Sequence, residues 1–82
     1  SETTENFNES TVQNCFVTGA SGMCKNGESI TADGSSCNTD RFVSCNEAKR
    51  DAHLDLEAVC ANKGGLDSED LGACECEVRD EC

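Results

Sequence analysis

The sequence contains no proline, tryptophan or tyrosine, and only 14 of its 82 residues are large apolar side chains (Phe, Val, Leu, Ile or Met). A single domain of this size buries roughly 60% of the surface that its unfolded chain exposes, so its stability from hydrophobic burial is marginal. We therefore expect covalent cross-links. Because apolar runs are short throughout, we expect neither a membrane span nor an intact signal peptide.

Basic residues are also scarce. Six Lys and Arg stand against 17 Asp and Glu, which gives a formal net charge of −11. Binding to nucleic acid needs clustered basic residues, and anionic lipid attracts polybasic segments. We therefore expect no nucleic-acid partner and no membrane anchor. The expected partner is an unidentified protein or surface target, and the chain itself is expected to be a monomer.

Cysteine, in contrast, is abundant. Such a density is typical of secreted disulfide scaffolds, and the chain opens on polar residues as a processed secreted protein does, so we expect an extracellular location. Zinc sites present two close pairs of ligands, whereas this chain has one close Cys pair and a lone histidine. We predict no metal, no other cofactor and four disulfides, among about 105 pairings that the spacing leaves open. The eight cysteines are Cys15, Cys24, Cys37, Cys45, Cys60, Cys74, Cys76 and Cys82.

Residues 1–11 show no hydrophobic period and are predicted to form a flexible polar leader before a single domain at 12–82. The alternative is an edge strand that docks on the domain. The tripeptide Asn8-Glu9-Ser10 is a sequon, so Asn8 is a candidate glycosylation site if the chain follows a eukaryotic secretory route.

A helix is predicted over residues 39–62. Asn38 or Thr39 is a suitable N-cap, and the Lys63-Gly64-Gly65 sequence is a suitable stop. Between them seven residues recur at helical spacing within a ~120° sector, which is the expected core face. They are Phe42, Cys45, Ala48, Ala52, Leu56, Val59 and Cys60. The two cysteines of this face lie about four turns apart, so each must bond to a different segment.

A second, weaker apolar stripe on the same helix contains Val43, Leu54 and Ala58. If another element covers this stripe, its residues belong to the core. If the stripe is exposed, it is the best candidate contact surface, because small monomers rarely leave such rows uncovered. Leu54 is then the expected apolar anchor.

Three short strands are predicted, near residues 14–18, 28–32 and 73–79. The first is β-branched and aromatic, the second lies between glycines, and in the third Cys74, Cys76 and Val78 alternate with charged residues. The remainder of residues 19–38 is predicted to be glycine-marked turns. The predicted fold is α+β, with one long helix on a small antiparallel sheet; an all-α disulfide bundle is the alternative.

Catalytic patterns are missing. The single histidine, His53, has no nucleophile near it in the sequence, the cysteines are expected in disulfides, and the G-x-S-x-G motif does not occur. From residue 66 onward seven acids accompany one base, without the calcium-loop pattern. We predict no catalytic residues, no enzymatic activity and a solvated acidic surface, and we expect His53 to be a surface residue of the helix.

The whole chain resembles the small secreted effectors of fungi, which are short, cysteine-rich and stapled by disulfides. Its two-cysteine helix, its Gly64-Gly65 turn and its terminal Cys74-Glu75-Cys76 strand resemble the virus-encoded fungal killer toxin whose fold many plant-pathogen effectors share. That resemblance implies a small α/β sandwich with two helices, of which this sequence predicts one, and no functional residue transfers. The chain also resembles the acidic, disulfide-stapled water-borne pheromones of ciliates, which are helical bundles.

The first resemblance implies a virulence-related effector with a toxin-like action, which binds a host or extracellular target without catalysis. The second implies a signalling ligand for a cell-surface receptor. A weaker alternative is a protease inhibitor, for which residues 19–38 would have to provide an exposed, rigid loop.

Overall fold

The computed structural model describes residues 11–82, so the predictions for residues 1–10, including the glycosylation site at Asn8, lie outside the described residues. The elements in chain order are strand β1 (Val12–Cys24), strand β2 (Ser29–Asn38), helix α1 (Arg41–Cys60), strand β3 (Leu66–Asp70) and strand β4 (Glu75–Arg79). The predicted α+β class is confirmed, and the all-α alternative is wrong. Within residues 11–82, no helix is both long and apolar enough to cross a membrane.

The long strand β1 is the centre of the antiparallel sheet. On one side it pairs with β2 from end to end. On its other side, residues 12–16 pair with β4 and residues 21–24 pair with β3. The sheet is therefore three strands wide at each end, and α1 packs across one of its faces, mainly over β1 and β2.

The strands predicted near residues 14–18 and 28–32 are present, as parts of β1 and β2. The prediction of turns in the remainder of residues 19–38 is wrong except at residues 25–28, because β1 and β2 form a long hairpin there. Strand β1 continues past Gly19 (φ 72°) through a bulge between Val17 and Ala20. The chain reverses only at residues 25–28, where the Gly27 N–H donates to the Cys24 carbonyl oxygen (2.8 Å). Gly27 has a φ of 93° there, a left-handed conformation that glycine adopts without steric cost.

One further strand and two boundaries differ from the prediction. Strand β3, with the sequence LDSED, was not predicted, because one apolar residue in five gives no alternating pattern. The predicted strand at 73–79 is present as β4, at residues 75–79. The N-cap of α1 is Asp40 rather than Asn38 or Thr39, and its carboxylate accepts from the N–H groups of residues 42 and 43 (2.8 and 3.2 Å). The predicted glycine stop is confirmed, since the Gly65 N–H donates to the Cys60 carbonyl oxygen (2.9 Å).

Small residues bring α1 unusually close to the sheet. A Cβ atom added at Gly34 on β2 would lie 2.1 Å from the Ala48 carbonyl oxygen and 2.5 Å from the Ala52 backbone nitrogen. Near this crossing Ser44 is fully buried, and its hydroxyl, which has a single proton to donate, lies 3.0 Å from carbonyl oxygens of both β1 and β2. At Gly34 the contact between helix and sheet is thus one of backbone against backbone.

The buried stripe of α1 differs from the predicted core face. Its residues recur every fourth position: Ser44, Ala48, Ala52, Leu56 and Cys60. Four residues turn the helix by about 400°, so the stripe winds by about 40° at each step. A prediction that places the core face in one fixed sector along the whole helix is therefore wrong near the two ends of α1. Phe42 and Val59, both predicted to be core, are 75% and 44% exposed.

All eight cysteines are paired, as predicted. The bonds are Cys15–Cys76, Cys24–Cys60, Cys37–Cys82 and Cys45–Cys74. The two helix cysteines bond to different segments, which confirms that expectation. Cys24–Cys60 joins the hairpin turn to the end of α1, where the Lys25 N–H also donates to the Gly65 carbonyl oxygen (2.8 Å).

Candidate contact surface

More of the large apolar side chains are exposed than are fully buried, whereas most are buried in an ordinary core. Of the 13 that lie in residues 11–82, only Val17 and Leu56 are fully buried. Six are exposed: Met23, Phe42, Val43, Leu54, Val59 and Val78. The buried cluster otherwise consists of alanine and cysteine, and the half-buried Ile30, Leu66 and Leu71 pack against it. Six of the 13 large apolar side chains therefore lie on the surface rather than in the core.

The second stripe of α1 is exposed in the described part of the chain. Val43 and Leu54 are 38% and 46% exposed, and Ala58 is also exposed. Eleven residues separate Val43 from Leu54, which places them about 16 Å apart along the axis and within about 20° of each other around it. We name Val43, Leu54 and Ala58 the outer ridge, because they point away from the sheet. No loop or other element covers them within residues 11–82, and the alternative of cover by the predicted leader lies outside the described residues.

Two acidic residues beside the outer ridge bind the helix to strand β2. The Asp51 carboxylate accepts from the backbone N–H of Ser35 (3.1 Å), and the Glu47 carboxylate accepts from the Ser36 hydroxyl (2.7 Å). Their negative charges thus lie over the outer edge of β2. One turn before Leu54, Arg50 is exposed, so the ridge carries charges of both signs around its apolar residues.

His53, next to Leu54, bridges α1 and β3. In its protonated form it donates from Nδ1 to the Glu69 carboxylate (2.6 Å) and from Nε2 to the Glu57 carboxylate (3.2 Å). The hydrogen bond to Glu69 raises the pKa of His53 above its ordinary 6.5, and the charges of Glu69 and Glu57 add to this, while burial acts in the opposite direction. His53 was predicted to be a surface helix residue. Its partner Glu69 was missed because β3 was not predicted.

An open groove of about 510 Å³ lies on the sheet face opposite α1. Met23 and Asp70 line this groove. Four of its nine lining residues carry hydroxyl groups: Ser21, Ser29, Thr31 and Ser68. The strands β3 and β4 form an acidic edge beside it, because all seven acids from residue 66 onward are exposed. This agrees with the predicted solvated acidic surface.

No protein-family model, no curated protein and no solved structure matches this chain. The resemblance to fungal effectors and to the killer-toxin fold therefore stays a prediction.

Proposed function

We propose that this protein is a secreted, cysteine-rich effector that acts by binding a host or other extracellular target, in a toxin-like manner and without catalysis. The observation that carries the proposal is the outer ridge. Leu54 is a large apolar side chain, 46% exposed, on the side of a disulfide-anchored helix that faces away from the sheet. At protein interfaces a few well-packed side chains provide most of the binding energy, while the contacts around them exclude water.

Rigidity supports this role. Helix α1 is joined to the loop before β4 by Cys45–Cys74 and to β1 by Cys24–Cys60. A side chain on such a helix loses little backbone freedom when it binds, and this loss is one of the main costs of association. The outer ridge is therefore pre-organised for contact.

The disulfides and the charge indicate the environment and the kind of partner. Four disulfides persist in oxidising compartments such as the extracellular space. A net charge of −11 repels anionic surfaces over a distance of about 8 Å at physiological ionic strength. We therefore propose a basic or neutral protein surface as the target.

The alternatives receive less support. A protease inhibitor needs an exposed, rigid loop, but residues 19–38 form a hairpin whose turn spans only residues 25–28. The helical bundle implied by the pheromone resemblance is replaced by a four-stranded sheet with one helix. A signalling role remains an alternative with no particular feature in its favour.

The test compares Leu54→Asp with Thr18→Asp, which places the same charge on an exposed residue of β1. Each variant and the native protein are immobilised and exposed to the extracellular fluid and surface proteins of the candidate target organism. We expect Leu54→Asp to melt within a few degrees of the native protein, because surface changes alter stability by only about 0.5 kcal/mol. We also expect it to lose a partner that the other two retain.

Retention of the same partner by Leu54→Asp would contradict the proposal. So would loss of folding in this variant, because it would show that Leu54 belongs to the core.

A further inference from the structure

Two of the four disulfides, Cys15–Cys76 and Cys45–Cys74, lie side by side between α1 and the sheet. The Sγ atoms of Cys45 and Cys76 are 3.5 Å apart, and those of Cys74 and Cys76 are 3.9 Å apart. All four Sγ atoms lie within 4.8 Å of one another. We name these residues the four-sulfur cluster; they come from β1, α1, β4 and the loop that precedes β4.

The non-bonded distance between Cys45 and Cys76 lies at the upper end of the range required for exchange between the two disulfides. A disulfide is exchanged when a thiolate attacks one of its sulfur atoms and displaces the other. Reacting atoms in a near-attack geometry are about 3–3.5 Å apart. A thiolate on Cys45 would thus be in reach of Cys76 without movement of the backbone, although Cys45 and Cys76 are not bonded to each other.

We propose that the four-sulfur cluster is a single thiol–disulfide exchange site that reacts with low-molecular-weight thiols. In the first step, an external thiolate attacks Cys74: a mixed disulfide forms on Cys74, and Cys45 leaves as a thiolate. In the second step, Cys45 attacks Cys76: the Cys45–Cys76 bond forms, the Cys15–Cys76 bond breaks, and Cys15 leaves as a thiolate and takes a proton. One external thiol is bound and one protein thiol is released, so no oxidant is needed.

Burial sets the direction of this relay. Cys45, Cys74 and Cys76 are partly exposed, whereas Cys15 is fully buried. Both sulfur atoms of Cys45–Cys74 therefore lie near the surface, but only one of Cys15–Cys76 does. The Cys15 sulfur lies 3.8 Å from the Arg41 carbonyl oxygen, so the thiol that forms there has a hydrogen-bond acceptor. The relay therefore transfers a free thiol from the surface into the core. This inference does not depend on the proposed binding function.

The first test uses Cys74→Ser, which leaves three cluster cysteines and one free thiol. After acid quenching, the free thiol is alkylated under denaturing conditions, the remaining bonds are reduced and labelled differently, and the sites are mapped by mass spectrometry. We expect the first label on both Cys15 and Cys45. The matched control is Cys82→Ser, which frees Cys37 outside the cluster, and there we expect the label on Cys37 alone. Labelling of Cys45 alone in Cys74→Ser, or scrambling in the control, would overturn the proposal.

A second measurement keeps the proposal testable if Cys74→Ser fails to fold. The double variant Cys37→Ser/Cys82→Ser removes the disulfide at the exposed C-terminus and keeps the cluster intact. We treat it with glutathione and map both the adduct and the free thiol. The expected product carries glutathione on Cys74 and the free thiol on Cys15. An adduct whose only free thiol is on Cys45 would show that the two disulfides react independently.

Discussion

The two faces of helix α1 contrast in composition and in role. The inner face is made of serine, alanine, cysteine and a single leucine, and it approaches β2 so closely that Gly34 has no room for a methyl group. The outer face carries Val43 and Leu54 into solvent. Small residues thus allow the helix to approach the sheet closely, four disulfides cross-link the fold, and six large apolar side chains stay exposed.

The largest expected effect comes from reduction, which tests whether the inner face can hold the fold without disulfides. Loss of a native bridge costs about 2–5 kcal/mol in a small secreted domain, and four bridges are present. We expect full reduction to abolish the cooperative thermal transition, measured by circular dichroism with and without reductant. Before reduction, the mass of the intact protein should be lower than that of the reduced protein by two hydrogens per disulfide. A reduced protein that still melts cooperatively would show that the small-residue core suffices.

The next effect concerns the close approach of the helix. Gly34→Ala places a methyl group against the helix backbone, which cannot move as a side chain can, and we expect a loss of about 2–3 kcal/mol in denaturant unfolding. The matched control is Gly22→Ala, whose added methyl would meet the ends of the Leu56 and Leu66 side chains at 3.2–3.4 Å. Because these ends can shift, the control should lose less than about 1 kcal/mol. Equal losses of stability in the two variants would contradict a contact between Gly34 and the helix backbone.

A smaller effect should separate the two leucines of α1, which lie two positions apart. Leu56→Ala removes a fully buried side chain and should cost about 2 kcal/mol or more. Leu54→Ala removes an exposed one and should change the free energy of unfolding by less than about 0.5 kcal/mol. Urea titration under non-reducing conditions measures both. Comparable losses would mean that the outer ridge contributes to the core.

The smallest effect is the pH dependence from His53. Its pKa is raised in the folded protein, so protonation and folding favour each other. The resulting stability is fully present below the unfolded pKa of about 6.5 and is lost as the pH rises through the folded pKa. We expect His53→Gln to melt below the native protein at about pH 5.5 and to approach it by about pH 8.5.

The control for this pH dependence is Asp67→Asn, which removes an exposed acid of β3 that is not among the groups raising the pKa of His53. It should preserve the native pH profile. A His53→Gln profile parallel to the native one would show that the ion pairs contribute no stability.

The sequence predicted the elements that rest on strong local patterns. The helix, its glycine stop and the full pairing of cysteines followed from spacing and number. The core assignments of Phe42 and Val59 failed, because the angle at which a helix crosses a sheet determines the winding of its buried stripe. The prediction of turns in residues 19–38 failed outside residues 25–28, because glycine occurs both in turns and where two backbones approach closely. Gly34 is a glycine of the second kind.

The candidate sites also divide into one that local sequence patterns predict and two that they do not. The outer ridge could be predicted, since Val43, Leu54 and Ala58 share one side of a single helix. The four-sulfur cluster could not, because it joins residues as far apart as Cys15 and Cys76, and only pairing of β1 with β4 brings them together. The bridge from His53 to Glu69 depends in turn on pairing of β1 with β3.

The hydrogen bond from Ser35 to Asp51 has a consequence for self-association. Strand β2 is the outer strand of the sheet, and such strands present unpaired N–H groups to which another chain can add a strand. The helix carboxylate occupies the N–H of Ser35 in the middle of that edge, and on the opposite side the acidic strands β3 and β4 repel a second copy. Within residues 11–82, both borders of the sheet thus carry features that oppose the addition of another strand, even though the surface carries several apolar side chains.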